Sequence, residues 1–231
     1  MSTTSHQTMS ETGGGRLQLA DWRRRVGELY AEVRDLAARD PAAAHARWRT
    51  AREALYRDHP SSPLPVERRT EFRAVHFPYD SSLRFEVQVK RDEPPASGAT
   101  PACAAGVGGL GLKLPISTGR PLGFERVGRL EIPFAAGARW LALFWLPEYA
   151  GGLFLPFRDA TNGRETYGGG RYLLDTGKGA DLGGDPDRGA VVVDFNFAYQ
   201  PSCAFDPRWS CPLSPAENRL DIEIHAGERL T

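Results

Sequence analysis

No apolar run in the chain approaches the roughly 20 residues that a membrane-spanning helix needs. An excess of one charge is also missing. Lys+Arg and Asp+Glu each number 29, so no general field draws the protein toward nucleic acid or anionic lipid, and neither partner is expected. Cysteine is scarce, with Cys103, Cys203 and Cys211 alone, and three thiols make no disulfide framework. There is no Gly-x-Ser-x-Gly elbow and no His-Glu-x-x-His helix, which leaves serine-hydrolase and metalloprotease readings without support. Matched close-spaced cysteine pairs are absent, and His76 and His225 stand isolated, so no metal site is expected. Repeats and heptads are absent. Residues 1–15, ending SETGGG, lack the basic start and apolar stretch of a secretory signal. We read them as a disordered tail and expect a cytoplasmic protein.

What is present falls into two regimes. In DWRRRVGELYAEVRDLAAR, Trp22, Val26, Leu29, Val33 and Leu36 recur at helical spacing, with Asp21 placed to cap the start. Asp40-Pro41 reads as a second cap followed by proline at the first helical position. That helix runs through Trp48, Arg52 and Leu55 to about Asp58, and Pro60, Pro63 and Pro65 end it. The many arginines here alternate with Glu28, Glu32, Asp35 and Glu53, the pattern of a solvated face.

After Pro65 the period becomes two. LRFEVQVK alternates strictly, as a half-buried antiparallel strand does. Further strands are expected near 110–116, 124–134, 139–146, 153–158, 171–175, 190–197 and 220–225. RWLALFWL and AVVVDFNF are nearly continuous apolar runs, expected in the middle of a sheet. No helical pattern separates the strands, which excludes parallel βαβ units. Residues 91–106 read as a flexible insertion carrying an inert Cys103. The expected fold is α+β but mainly β: an antiparallel β-barrel or two-sheet sandwich over residues 66–231. A helical segment, 16–65, packs outside it.

Three long blocks carry a resemblance: FLPFRDATNGRETYGGGRYLLDTGKGADLGG, DFNFAYQPSCAFDPRWSCPLSPAENRLDIEI and, earlier, WRTAREALYRDHPSSPLP. Over about residues 46–229 the chain resembles the bacterial and archaeal family called domain of unknown function 1684. The resemblance implies a shared domain and no particular reaction, so the chemistry is weighed on the residues themselves.

Gly168-Gly169-Gly170 first suggests a phosphate loop. A strand follows instead of a helix, and no lysine follows the glycines before Lys178, so the motif fails on both counts. A glycine turn remains. Around it stand Arg158, Asp159, Glu165, Tyr167, Arg171 and Tyr172. Arg171 is expected to meet Asp194 across strands, with Asp194 and Asn196 on one strand face. Tyr199 helps pin the following loop. Arg171, Asp194, Asn196, Glu165 and Tyr167 are expected to converge on one polar pocket that binds the ligand, and Glu217 and Asn218 form a turn or line the same pocket. Cys203 and Cys211 form a buried thiol pair or a disulfide.

The expected function is binding of a small polar or anionic ligand without a cofactor. An enzyme is the second reading, with Glu165 or Asp194 as general base and Tyr167 or Arg171 stabilising charge. A third is partner docking through the first helix. The sequence carries no signal for an oligomeric state.

Overall fold

A computed structural model describes residues 13–91, 111–117, 122–147 and 151–230. Of the expected tail, residues 1–12 lie outside the described residues, as do residues 92–106 of the expected insertion, with Cys103; Gly13–Gly15 of that tail instead open the first helix. Helix α1 spans Gly13–Ala37 and α2 spans Pro41–Asp58. Helix α1 starts ahead of Asp21. That residue therefore caps nothing; it pairs along the helix with Arg24 at 2.7 Å and Arg25 at 2.8 Å. Asp40 does cap α2, accepting from the Ala43 amide at 2.9 Å, and Pro41 takes the first position, where no backbone donor is needed. A short α3, Val66–Arg69, follows the proline-rich turn.

Among the described residues, eight strands form one antiparallel sheet: β1 Arg84–Lys90, β2 Gly111–Leu114, β3 Leu122–Ile132, β4 Arg139–Leu146, β5 Gly152–Phe157, β6 Arg171–Asp175, β7 Gly184–Asp185 and β8 Ala190–Asp194. The order is β6-β5-β4-β3-β1-β8-β7, with β2 added on β3. Long β3 makes this possible. Its first half carries β2 and its second half carries the end of β1, while β4 runs along its other edge. The sheet curls into a half-barrel, and the chain beyond β8 returns to its far edge. Tyr199 and Tyr172 of β6 exchange backbone hydrogen bonds of 3.1 and 2.9 Å.

Leu130, Ile132, Leu141, Leu143, Leu155, Phe157, Leu173, Val193 and Phe195 fill the concave side. Burying each contributes about 1.5–3 kcal/mol. Leu29, Tyr30 and Val33 of α1 and Trp48 of α2 pack on Val192, Phe197 and Leu182. The amphipathic stripe of α1 is therefore occupied within the molecule.

Two expected strands are different. β8 ends at Asp194, and Phe195–Phe197 is a turn of 3-10 helix capped by the Asp194 carboxylate. Asp194 and Asn196 thus do not share a strand face. Residues 220–225 form no ladder; they belong to an extended C-terminal segment that crosses the open side of the half-barrel. Arg158 and Asn218 join it by backbone bonds, as do Ala160 and Ile222. Asn218 anchors its start deep in the core, accepting from the Ala142 amide at 2.7 Å and donating to the Ala142 and Pro156 carbonyls.

Candidate functional site

Arg171 opens β6 and is fully buried. Its guanidinium donates to the carbonyls of Ile224 at 3.1 Å, Glu228 at 3.2 Å and Ala226, and to Asp159 at 3.5 Å. Asp159 in turn accepts from the Ile224 amide at 2.7 Å and from Thr161. Burial pushes the arginine down to about 10, against the pull of Asp159 and Glu228, so it stays charged at neutral pH. Arg171 therefore staples the C-terminal segment to the sheet. The expected pairing with Asp194 does not form, because Asp159 is its carboxylate partner.

The triple glycine explains itself beside this clamp. A side chain on Gly169 would collide with the Tyr167 ring, 2.4 Å away. Gly170 has φ of 99° and lies against the Phe157 carbonyl, where a Cβ would stand at 2.6 Å. The turn thus brings Arg171 and the Tyr167 ring close to neighbouring backbone. Residues on either side of it diverge. Glu165 turns to Arg229 and His225, each at 3.3 Å. Tyr167 turns to Cys203, at 3.6 Å. Tyr172 packs between Phe154 and Tyr199 and donates to the Pro212 carbonyl. Glu217 pairs with Arg126 at the surface, and the backbone of Arg158 bridges Arg219. Cys203 and Cys211 are buried free thiols. Among the described residues no group of three or more acids, histidines or cysteines is placed to hold a metal.

A second polar cluster has no counterpart in the sequence reading. Arg52 of α2 lies 4.4 Å from the Tyr56 ring and 4.7 Å from the Tyr199 ring, and pairs through two nitrogens with the buried Glu228. Burial raises the Glu228 carboxyl, but Arg52, His76 and the Gln200 amide outweigh it and leave it below the usual range. This pair fixes α2 to the C-terminal segment. Arg52 stood in the sequence as one arginine among many, and its partner is 176 positions away.

Among the buried side-chain atoms of the described residues that lack a hydrogen bond, Asp194 supplies the carboxylate oxygen. It has no exposed surface. Its Oδ1 accepts from the Asn196 amide at 2.9 Å and side chain at 2.8 Å, while its Oδ2 accepts no hydrogen bond. Arg84, opposite it in the β1–β8 register, stands 3.7 Å from Oδ2 and is part-exposed. Asn196 also bonds the Asp80 backbone in both directions at 2.8 Å, which fixes the entry to β1. Tyr79 flanks the corner. Burial raises its phenol, and the Asp194 charge adds to the effect. The Tyr79 ring lies 5.5 Å from His45, itself buried and with Nε2 unbonded. Burial pushes the Asp194 carboxyl up to about 6, only partly offset by Asn196 and Arg84. Burial likewise brings His45 down to about 4, helped by His76 and Arg49.

The polar residues expected to converge thus divide into a clamp, surface pairs, a thiol corner and the Asp194 corner. A family model described as "Protein of unknown function (DUF1684)" matches residues 70–229. The chain belongs to this family. The match takes in the whole sheet, the Arg171 clamp, the thiols and Asp194, and begins after α2. An uncharacterized protein of Haloarcula marismortui, solved in solution by NMR, is similar at 30% identity with a TM-score of 0.57. The likeness covers 85% of this chain and 97% of that one. So broad a likeness must reach into the helical segment. No curated protein matches the chain. No described helix is long and apolar enough to cross a membrane.

Proposed function

We propose that the protein binds a small polar ligand at the Asp194 corner. A ligand hydroxyl or amine donates to Oδ2 of Asp194, and an anionic group beside it meets Arg84. Tyr79 flanks the bound molecule. One observation carries this reading: a carboxylate oxygen without exposure and without a hydrogen bond. Buried polar groups are almost always satisfied, and an exception calls for a partner. Arg171, the anion partner expected from sequence, is engaged by the C-terminal segment and contributes no ligand contact.

The test is an NMR titration of the full chain with small hydroxy acids and sugar phosphates, which combine a donor with an anion. The Asn196 and Tyr79 resonances shift saturably, and the shift is lost in Asp194→Asn and Arg84→Met. Shifts confined to other regions would contradict the assignment.

A second reading rests on the carboxyl pKa of about 6. A base that titrates close to neutral pH is suited to proton abstraction. On this reading Asp194 takes a proton from the bound hydroxyl. A reaction found for any ligand of this class would then rise in rate with a midpoint near the Asp194 pKa and vanish in Asp194→Asn.

A further inference from the structure

The loop between Phe197 and Asn218 holds two thiols that the Asp194 corner does not use. Cys203 lies in the 3-10 turn Ser202–Ala204. Cys211 follows on a stretch tied down from both sides. Its carbonyl accepts from the Ser117 amide at 3.0 Å, and its amide donates to the Ser117 hydroxyl at 3.0 Å. Leu213 donates to Pro115 at 2.8 Å, and the Trp209 indole donates to Pro63 at 2.9 Å. The two sulfurs are therefore held together. The Cys203 amide donates to the Cys211 sulfur at 3.3 Å, which sets the two buried cysteines side by side.

The pair is asymmetric. The Tyr167 hydroxyl donates to the Cys203 sulfur at 3.6 Å. A sulfur that receives donors favours its thiolate, and a thiol that donates keeps its proton. Cys203 is accordingly pulled down to about 6, first by Cys211 and then, against burial, by Tyr167 and Ser117. Cys211 is pushed up by Cys203 and by burial. Lys178 acts weakly on Cys211, and Arg158 on Tyr167. The triple glycine turn, which needs a small residue at Gly169 to seat the Tyr167 ring, also serves this corner.

We infer that Cys203 and Cys211 form a dithiol–disulfide couple. Cys203 is the attacking thiolate, Cys211 the resolving thiol and Tyr167 the donor to the attacking sulfur. The oxidant is a small-molecule disulfide.

The Cys203 thiolate attacks one sulfur of the small disulfide. A mixed disulfide forms, the original sulfur–sulfur bond breaks, and the departing thiolate takes up the proton that Cys203 had released. The Cys211 sulfur then attacks Cys203 Sγ and gives its proton to the second departing thiolate. Two protein thiols and one small disulfide become one protein disulfide and two small thiols. Two electrons pass to the small disulfide.

The test equilibrates the full chain, as Cys103→Ser, with mixtures of oxidised and reduced glutathione. Free thiols are then trapped by alkylation and the peptides read by mass spectrometry. Cys203 and Cys211 should leave the alkylatable pool together, as one cross-linked species two hydrogens lighter. With Cys211→Ser, glutathione should be trapped on Cys203; with Cys203→Ser, Cys211 should stay free. Tyr167→Phe should raise the pH midpoint of Cys203 alkylation and slow adduct formation severalfold. The inference is overturned if both thiols stay alkylatable at every ratio, or if the adduct forms on Cys211. The unsubstituted pair settles the first point without relying on the folding of a variant at either cysteine.

Discussion

Asp194 and Arg171 are both charged and both fully buried, yet they act on stability in opposite directions. Arg171 donates through its two terminal nitrogens to three carbonyls and Asp159, while its Nε has no partner. Arg171→Met leaves those acceptors and the Asp159 charge unpaired. A loss of about 3–5 kcal/mol is expected, read by urea denaturation. Asp194 keeps one oxygen unbonded and a raised pKa. Its folded form holds a proton more tightly than the unfolded chain does. Between the ordinary 3.8 and about 6, stability from this group therefore falls as pH rises. Asp194→Asn removes that cost and should stabilise the protein by up to about 3 kcal/mol at neutral pH. It should give no gain below the unfolded pKa. A substitution that stabilises the fold while abolishing ligand shifts marks a residue kept for function.

At the scale of elements, α2 docks on the C-terminal segment through the Arg52–Glu228 pair, beside two buried imidazoles, and on α1 through Arg47–Glu32. Glu228→Gln strips the buried Arg52 of its charge partner and should cost about 3–5 kcal/mol. His45 and His76 are held neutral, both lowered by burial. A histidine lowered in the folded state must charge as the chain unfolds, so its stabilising effect is lost as pH falls from 6.5 toward about 4 for His45. Acid should therefore loosen α2 first, seen as early hydrogen exchange at Trp48 and Ala51, and His45→Phe should reduce that sensitivity. In the intact protein Asp194 and His45 titrate over overlapping ranges with opposite signs, so replacing either one exposes the other. The helices themselves were legible from apolar spacing and the Asp40-Pro41 cap. What they dock against was not, because an Arg–Glu pair between distant positions leaves no local pattern. The same holds for Asp21: its chemistry is right for a cap, but α1 continues through it and turns it into a partner for Arg24, Arg25 and His59.

Across the whole molecule, the C-terminal segment from Asn218 to Leu230 does the work that a closing strand does in a full barrel. It fills the open side of the half-barrel and links Arg158, Arg171, Asn218, Arg52 and Glu165. A chain ending at residue 217 should fail to fold, giving collapsed amide dispersion in NMR. Strand alternation revealed the antiparallel class and most strand positions. The crossing segment resisted prediction because DIEIH alternates like a strand while its backbone partners are scattered across loops. The most conspicuous motif, GRETYGGGRYLLD, proves to be mainly architecture: Arg171 clamps, and glycines allow close approach. The site proposed above lies in a quieter place, the single acid at the end of AVVVD. Sequence could mark Asp194 as a charge in an apolar strand. Only the fold shows that Asn196 hydrogen-bonds one oxygen while the other has no hydrogen bond and faces Arg84 at 3.7 Å.

The measurement that bears most directly on this is a carboxyl-carbon NMR titration of Asp194 in the full-length protein. The Asp194 carboxyl should titrate with a midpoint of about 6, and the Tyr79 and Asn196 signals should move with it. A midpoint at the ordinary 3.8 would mean that Asp194 is solvated or fully paired, and would contradict its assignment as the ligand site.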